Sequence, residues 1–189
     1  MKGARAVFLD RDGTLIHDVG YLADPSQVVF YPWSVDAVRA LNRAGLRVVV
    51  TTNQSGIARG YFSEDDVRVV HEHLTATLAA GGARIDAYYH CPHHPDGTIE
   101  GYGRRCDCRK PGTGMVEQAS RDLGLEPRRS FVVGDRWLDV GLARNVGARG
   151  VLVKTGLGAA QAAAPPEGLV ADYVADNLIA AVSWILGGS

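Results

Sequence analysis

Two aspartates one residue apart close the first apolar run of the chain, Val7-Phe8-Leu9-Asp10-Arg11-Asp12-Gly13-Thr14. Ala6 to Leu9 reads as a buried strand, and both carboxylates fall where it ends. Strand ends are where an open parallel sheet gathers its ligand chemistry. A carboxylate is ionised at neutral pH and needs no base to become a nucleophile. A second carboxylate, kept protonated, can serve as an acid. Taken alone, the same residues also suit a strand followed by an ordinary Asp-Gly turn, so the rest of the chain has to decide.

The order of elements supports a site. With 189 residues, 46% of them hydrophobic, the chain suits one globular domain with its own core, spanning residues 1–189. Strand patterns cover Arg5–Asp10, Leu46–Thr52, Ile85–His90, Arg129–Val133 and Gly150–Lys154. Helical patterns separate them. One is capped by Ser34 and stopped at Gly45, and one runs from Ser63, with Asp66 as its box partner, to about Ala80. Two more run from Gly114 to Leu123 and from Trp137 to Asn145. Gly156–Gly168 reads as a mobile connection, Asp172–Ala175 as an edge strand, and Asp176 as the cap of a last helix, Asn177–Leu186. This alternation predicts an α/β fold: a doubly wound, Rossmann-like parallel sheet with helices on both faces. The gaps between strands leave no room for a large cap domain.

Composition excludes several classes. The net charge of −1 supplies no field to attract nucleic acid. No apolar run is long enough to cross a membrane. Met1-Lys2-Gly3-Ala4-Arg5 leads into the first strand without an apolar signal region, so a cytoplasmic protein with free thiols is expected. His71-Glu72-His73-Leu74-Thr75 is not an H-E-x-x-H zinc motif, because its fifth residue is Thr75. No Walker A pattern is present.

Four polar sets fall at predicted strand or loop ends: Asp10 and Asp12; Thr51 to Gly56; Arg109-Lys110-Pro111; and Gly134-Asp135-Arg136-Trp137-Leu138-Asp139. Together they have the chemistry of phosphoryl transfer. Carboxylates hold Mg²⁺, a hard cation, and a lysine with a hydroxyl neutralises and positions phosphate oxygens. A further cluster stands apart. All three cysteines lie in Cys91-Pro92-His93 and Cys106-Asp107-Cys108, a C-x-H followed by a C-x-C, with His94 as a spare imidazole. Three sulfurs and one imidazole make a closed tetrahedral zinc site with no position left for a catalytic water, hence a structural one.

Phe8–Thr14, the run Thr52-Asn53-Gln54-Ser55-Gly56-Ile57-Ala58-Arg59-Gly60, the Cys91–Cys108 loop and Arg109-Lys110-Pro111 resemble the motifs of the haloacid dehalogenase-like phosphatases. The match, over about residues 5–156, is to the branch that holds the heptose-1,7-bisphosphate 7-phosphatases and the histidinol-phosphate phosphatase domain. The resemblance implies an Mg²⁺-dependent phosphomonoesterase. In it Asp10 is the nucleophile and forms an aspartyl-phosphate, and Asp12 is the acid and then the base. Thr52 and Lys110 hold the transferring phosphate. Asp10, Asp135 and the backbone carbonyl of Asp12 ligate Mg²⁺, with Asp139 supporting that shell. Crowding by carboxylates is expected to keep Asp12 protonated. The zinc ligands implied are Cys91, His93, Cys106 and Cys108, the zinc loop 91–108 being inserted after the third strand.

For substrate contacts the resemblance points to Asp18, Gly20 and Tyr21, together with Asn53, Gln54 and Ser55. Arg59, Arg109 and Arg136 are candidates for a second phosphate, since guanidinium binds phosphate bidentately. The expected substrate is a small sugar bisphosphate, a heptose 1,7-bisphosphate losing its C7 phosphate for nucleotide-activated heptose and surface glycans. Histidinol phosphate is the alternative, a nucleic-acid 3′-phosphate a lower one, and an inactive zinc-binding module lower still. No nucleic-acid or membrane partner is expected, and the chain is expected to be a monomer.

Overall fold

The computed structural model describes residues 3–188. Its six strands are β1 (Ala6–Leu9), β2 (Arg47–Asn53), β3 (Ala87–Cys91), β4 (Phe131–Gly134), β5 (Arg149–Val153) and β6 (Tyr173–Ala175). They form one sheet in the order β3-β2-β1-β4-β5-β6, with every pairing parallel. The helices are α1 (Ser34–Arg43), α2 (Ser55–Ala58), α3 (Glu64–Ala80), α4 (Gly114–Leu123), α5 (Trp137–Val146), α6 (Gly158–Ala163) and α7 (Leu178–Leu186). This is the predicted doubly wound architecture, and among the described residues no large cap is inserted.

Alternation along β1 sets the two layers. Val7 and Leu9 pack with Ala37, Val38 and Leu41 of α1, Val70, Leu74 and Leu78 of α3, and Leu178, Ala181, Val182 and Ile185 of α7. Ala6 and Phe8 face the other way, onto Val116 and Ala119 of α4 and Leu142 and Ala143 of α5. The chain winds outward from β1 through β2 to β3, then returns to β4 on the other side of β1. The strand order therefore reverses between β1 and β4, and the carboxyl ends of these two strands open a crevice at that switch point. Asp10 and Asp135 each follow one of them directly.

Four local expectations change. Ser34 does not cap α1: its buried hydroxyl donates to the Leu15 carbonyl at 2.6 Å, and Trp33 stands at the cap position. Asn177, not Asp176, caps α7 by accepting from the Ala180 amide at 3.0 Å. Within Gly156–Gly168 the chain forms the short helix α6, tied down where Gln161 accepts from the Trp137 amide and indole. Helix α2, only four residues long, follows β2 unannounced by any periodicity. The Ser63–Asp66 capping box of α3 forms as predicted.

Candidate active site

The site begins with the turn after β1. The Asp10 amide donates to the Val133 carbonyl at 2.9 Å, which locks the nucleophile loop to β4. Gly13 has φ of +82° and Gly156 has φ of +56°, and a Cβ on either would come within 2.3 Å of Asp135 Oδ2. These two glycines let the backbone close around Asp135. Asp135 Oδ2 accepts from the Leu157 amide at 2.7 Å, while Oδ1 is buried without a hydrogen-bond partner. A buried carboxylate oxygen left unpaired calls for an explanation.

Lys110 supplies the positive charge. Although 96% buried, its ammonium uses all three donors: to Asp10 Oδ1 at 2.7 Å, Asp139 Oδ1 at 2.6 Å and the Thr51 carbonyl at 2.8 Å. Burial opposes its charge, but Asp10 and Asp139 outweigh burial and raise its affinity for the proton. Burial also dominates at Asp10, which is pushed up to about 8; Lys110 opposes this, and Asp139, Asp135 and Asp12 add to it. Asp135 is pushed up to about 6, again chiefly by burial. The protein alone thus holds more negative charge here than it can neutralise. Asp10, Asp135 and Asp139 each offer an oxygen within 4.8 Å of the others. An all-carboxylate set with one orphaned oxygen suits a hard divalent cation such as Mg²⁺. Asp139 is the most committed of the three, since its second oxygen accepts from the Arg136 amide at 3.2 Å.

The expected crowding of Asp12 by carboxylates is not what surrounds it; that crowding falls on Asp10. Around Asp12 stand donors: Arg11 Nε at 3.1 Å, Gln54 Nε2 at 3.0 Å and Thr52 Oγ1 at 3.4 Å. Gln54 Nε2 also donates to Thr52 Oγ1 at 2.8 Å. Asn53 accepts from the Lys110 amide at 3.0 Å and donates to its carbonyl at 3.4 Å. Asn53 and Gln54, expected at the substrate, therefore spend their amides on aiming Lys110 and on Asp12 with Thr52.

A cavity of about 330 Å³ opens above these groups. Asp10, Asp12, Thr52 and Lys110 line it, with Asp18, Gly20, Tyr21, Asn53, Gln54, Ser55, Arg109 and Arg136 around them. Arg136 is half exposed and pairs with Asp18 at 3.3 Å across the mouth. Arg59 is not in the lining; its guanidinium sits 3.4 Å from the His94 ring, on the zinc-type loop. Phe62, outside every motif, and Leu138, inside the Gly134–Asp139 set but not singled out there, add apolar side chains to the lining. Phe62 lies in the turn before α3 and Leu138 in the first turn of α5, places where apolar periodicity does not mark a site.

The cysteine loop is gathered as predicted. The Sγ atoms of Cys91, Cys106 and Cys108 lie 3.1–3.5 Å apart, and His93 Nδ1 is 3.3 Å from Cys108 Sγ and 3.8 Å from Cys91 Sγ. A tetrahedron with Zn–S arms of about 2.3 Å has S–S edges of about 3.8 Å, close to this spacing. His94 is outside the group. From Cys108 the chain runs directly into Arg109 and Lys110.

Comparison with known proteins agrees with this geometry. A model of the polynucleotide kinase 3 phosphatase family matches residues 5–139, and a HAD-hydrolase-like model matches residues 107–181. The D-glycero-beta-D-manno-heptose-1,7-bisphosphate 7-phosphatase of Haemophilus influenzae is 43% identical over 178 residues, covering 93% of both chains. The chain belongs to the heptose-bisphosphatase branch of the haloacid dehalogenase-like phosphatases. Within that branch the D-glycero-D-manno-heptose-1,7-bisphosphate 7-phosphatase of Thermosynechococcus vestitus is 44% identical, covering 95% of this chain and 94% of its own. The D,D-heptose 1,7-bisphosphate phosphatase from B. bronchiseptica, solved with magnesium and phosphate, superposes with a TM-score of 0.85. It is 33% identical over 98% of this chain and 99% of that one. A more distant likeness, to the L-2-haloacid dehalogenase of Xanthobacter autotrophicus at 14% identity and TM-score 0.64, shows the shared fold. No helix among the described residues is long and apolar enough to cross a membrane.

Proposed function

We propose that this protein is an Mg²⁺-dependent phosphatase that removes the C7 phosphate of D-glycero-D-manno-heptose 1,7-bisphosphate through an aspartyl-phosphate. The observation that carries the reading is one cavity with two kinds of phosphate chemistry. Asp10 and Lys110 form its floor, and Arg109 and Arg136 line it as well. A substrate with a phosphate at each end uses both, the reacting one at the floor and the other held by guanidinium.

In this reading Lys110 fixes Oδ1 of Asp10, and Oδ2 attacks phosphorus. The P–O bond to C7 breaks as the bond to Asp10 forms. Asp12 gives its proton to the departing C7 oxygen, then accepts one from the water that hydrolyses the aspartyl-phosphate. Thr52 Oγ1 turns its hydroxyl from Asp12, 3.4 Å away, to a phosphoryl oxygen. The Lys110 ammonium, its three N–H groups kept on Asp10, Asp139 and the Thr51 carbonyl, offsets the charge of the phosphate beside it. Gln54 and Asn53 hold Thr52 and Lys110 in place. When bound among Asp10, Asp135 and the Asp12 carbonyl, Mg²⁺ offsets the repulsion between the Asp10 carboxylate and the phosphate dianion. Asp139 orients Lys110 beside it.

The same proposal gives Cys91, His93, Cys106 and Cys108 a structural zinc, which pins a glycine-rich loop against the site. It describes a monomer working on a small metabolite in the cytoplasm, with surface-glycan synthesis as the use of its product. Histidinol phosphate carries a cationic imidazole end, which the two arginines repel.

Phosphate release with Mg²⁺ from the α and β heptose bisphosphates, histidinol phosphate and a 3′-phosphorylated oligonucleotide tests the reading. A preference of several hundredfold in kcat/KM for one heptose anomer, about 3–4 kcal/mol, is expected. Equal turnover of all four, or preference for another of them, contradicts it.

A further inference from the structure

Arg11, the residue between the two aspartates, is 0% exposed and is the largest fully buried side chain among the described residues. An arginine cannot shed its proton in a protein, and burying its charge costs heavily unless its N–H groups find partners. Its partners here are two. Nε lies 3.2 and 3.1 Å from the two carboxylate oxygens of Asp12. Nη1 lies 3.3 Å from Nε2 of His71, a residue of α3 sixty positions along the chain. Because guanidinium only donates, Nε2 of His71 is the acceptor. Its imidazole is therefore neutral, with the hydrogen on Nδ1. Burial, reinforced by Arg11, holds His71 down at about 3, in accord with that state. The ring itself is stacked on Tyr88 of β3, 4.5 Å between centroids and 19° between planes.

We propose that Arg11 and His71 are positioning residues that hold the Asp12 carboxyl for proton transfer to the leaving oxygen. Arg11 presents one N–H to both Asp12 oxygens, Gln54 and Thr52 address Oδ2 from the β2 side, and His71 fixes the far end of the guanidinium. Neither residue lines the substrate cavity. The inference rests on the phosphatase reading above, in which Asp12 is the acid. It adds a support for that acid which comes from α3, on the sheet face that α3 shares with α1 and α7.

Leaving-group dependence separates positioning from a general structural role. A sugar alkoxide needs a proton as its bond to phosphorus breaks, whereas 4-nitrophenolate departs without one. kcat/KM covers the steps up to formation of the aspartyl-phosphate and excludes its hydrolysis. We would measure it for heptose 1,7-bisphosphate and 4-nitrophenyl phosphate in the wild type and in Arg11→Lys, His71→Leu and His71→Gln. His71→Leu and Arg11→Lys are expected to lose about 10–100-fold on the sugar phosphate and less than about threefold on the aryl phosphate, the scale of a misplaced acid. His71→Gln, whose Oε1 can accept from Arg11, is expected to stay within about threefold of wild type on both esters. Equal losses on the two esters, or no loss in either disruptive variant, overturn the proposal. If Arg11→Lys fails to fold, the two His71 variants decide alone. A wild type that turns over neither ester overturns the phosphatase reading itself, and this inference with it.

Discussion

Lys110 sits among more negative charge than it can neutralise, and that imbalance explains the residues around it. Its three donors are each met by an acceptor, so the ammonium is tolerated out of water. Asp135 keeps a buried oxygen with no hydrogen-bond partner, the Arg136 guanidinium standing off at 3.9 Å. Such an arrangement is costly for the fold and useful for holding a cation and a phosphate in turn. Charge near the mouth is arranged differently: Arg136, held loosely by Asp18 at 3.3 Å, can exchange that partner for a second phosphate. Replacing it by methionine is expected to raise KM for heptose bisphosphate about tenfold or more, the worth of a hydrogen bond to a charged group. The same Arg136→Met change should leave kcat/KM for 4-nitrophenyl phosphate nearly unchanged. Parallel losses on both substrates would place Arg136 in the catalytic machinery instead.

At the scale of elements, the Cys91–Cys108 loop carries Lys110 into the site, while Asn53 at the end of β2 grips the Lys110 backbone from the other side. Stripping zinc with a chelator, or the change Cys106→Ser, is therefore expected to lower the melting temperature and to cut kcat tenfold or more. Metal analysis of the freshly purified protein should find stoichiometric zinc; protein that is fully active and stable without it contradicts the structural role. The sequence made this loop legible because metal-ligand spacing is a local signal, and so are the aspartates at the ends of β1 and β4. Short elements were not legible. Helix α2 spans Ser55–Ala58 and α6 spans Gly158–Ala163, too few turns for an apolar period to show. Ser34 looked like a cap because its type suits one, but a buried carbonyl, that of Leu15, claims its hydroxyl instead. Arg59 looked like a phosphate ligand by its place in a motif, and tertiary contact turns it onto His94. The pairing of Arg11, in the turn after β1, with His71, in the middle of α3, is a contact across sixty residues with no local signature.

For the molecule as a whole, the doubly wound topology brings β1 and β4 side by side although they are far apart in sequence, and sets their carboxylates at one crevice. The consequence is a coupling between protons and metal. Asp10, raised to about 8, and Asp135, raised to about 6, must lose protons to ligate Mg²⁺. Metal affinity should therefore weaken as pH falls through 8 and weaken further through 6, by up to about tenfold per pH unit for each proton released. Titration calorimetry in buffers of different protonation enthalpy reads that release, and a pH-independent affinity would contradict the buried-carboxylate account. The central claim concerns which phosphate leaves. Phosphorus NMR of heptose 1,7-bisphosphate incubated with the enzyme and Mg²⁺ follows both phosphates at once. The account predicts that the C7 phosphomonoester signal converts to inorganic phosphate while the C1 signal persists, and that Asp10→Asn abolishes the conversion. Loss of the C1 signal first, or no conversion with the wild type, would contradict it.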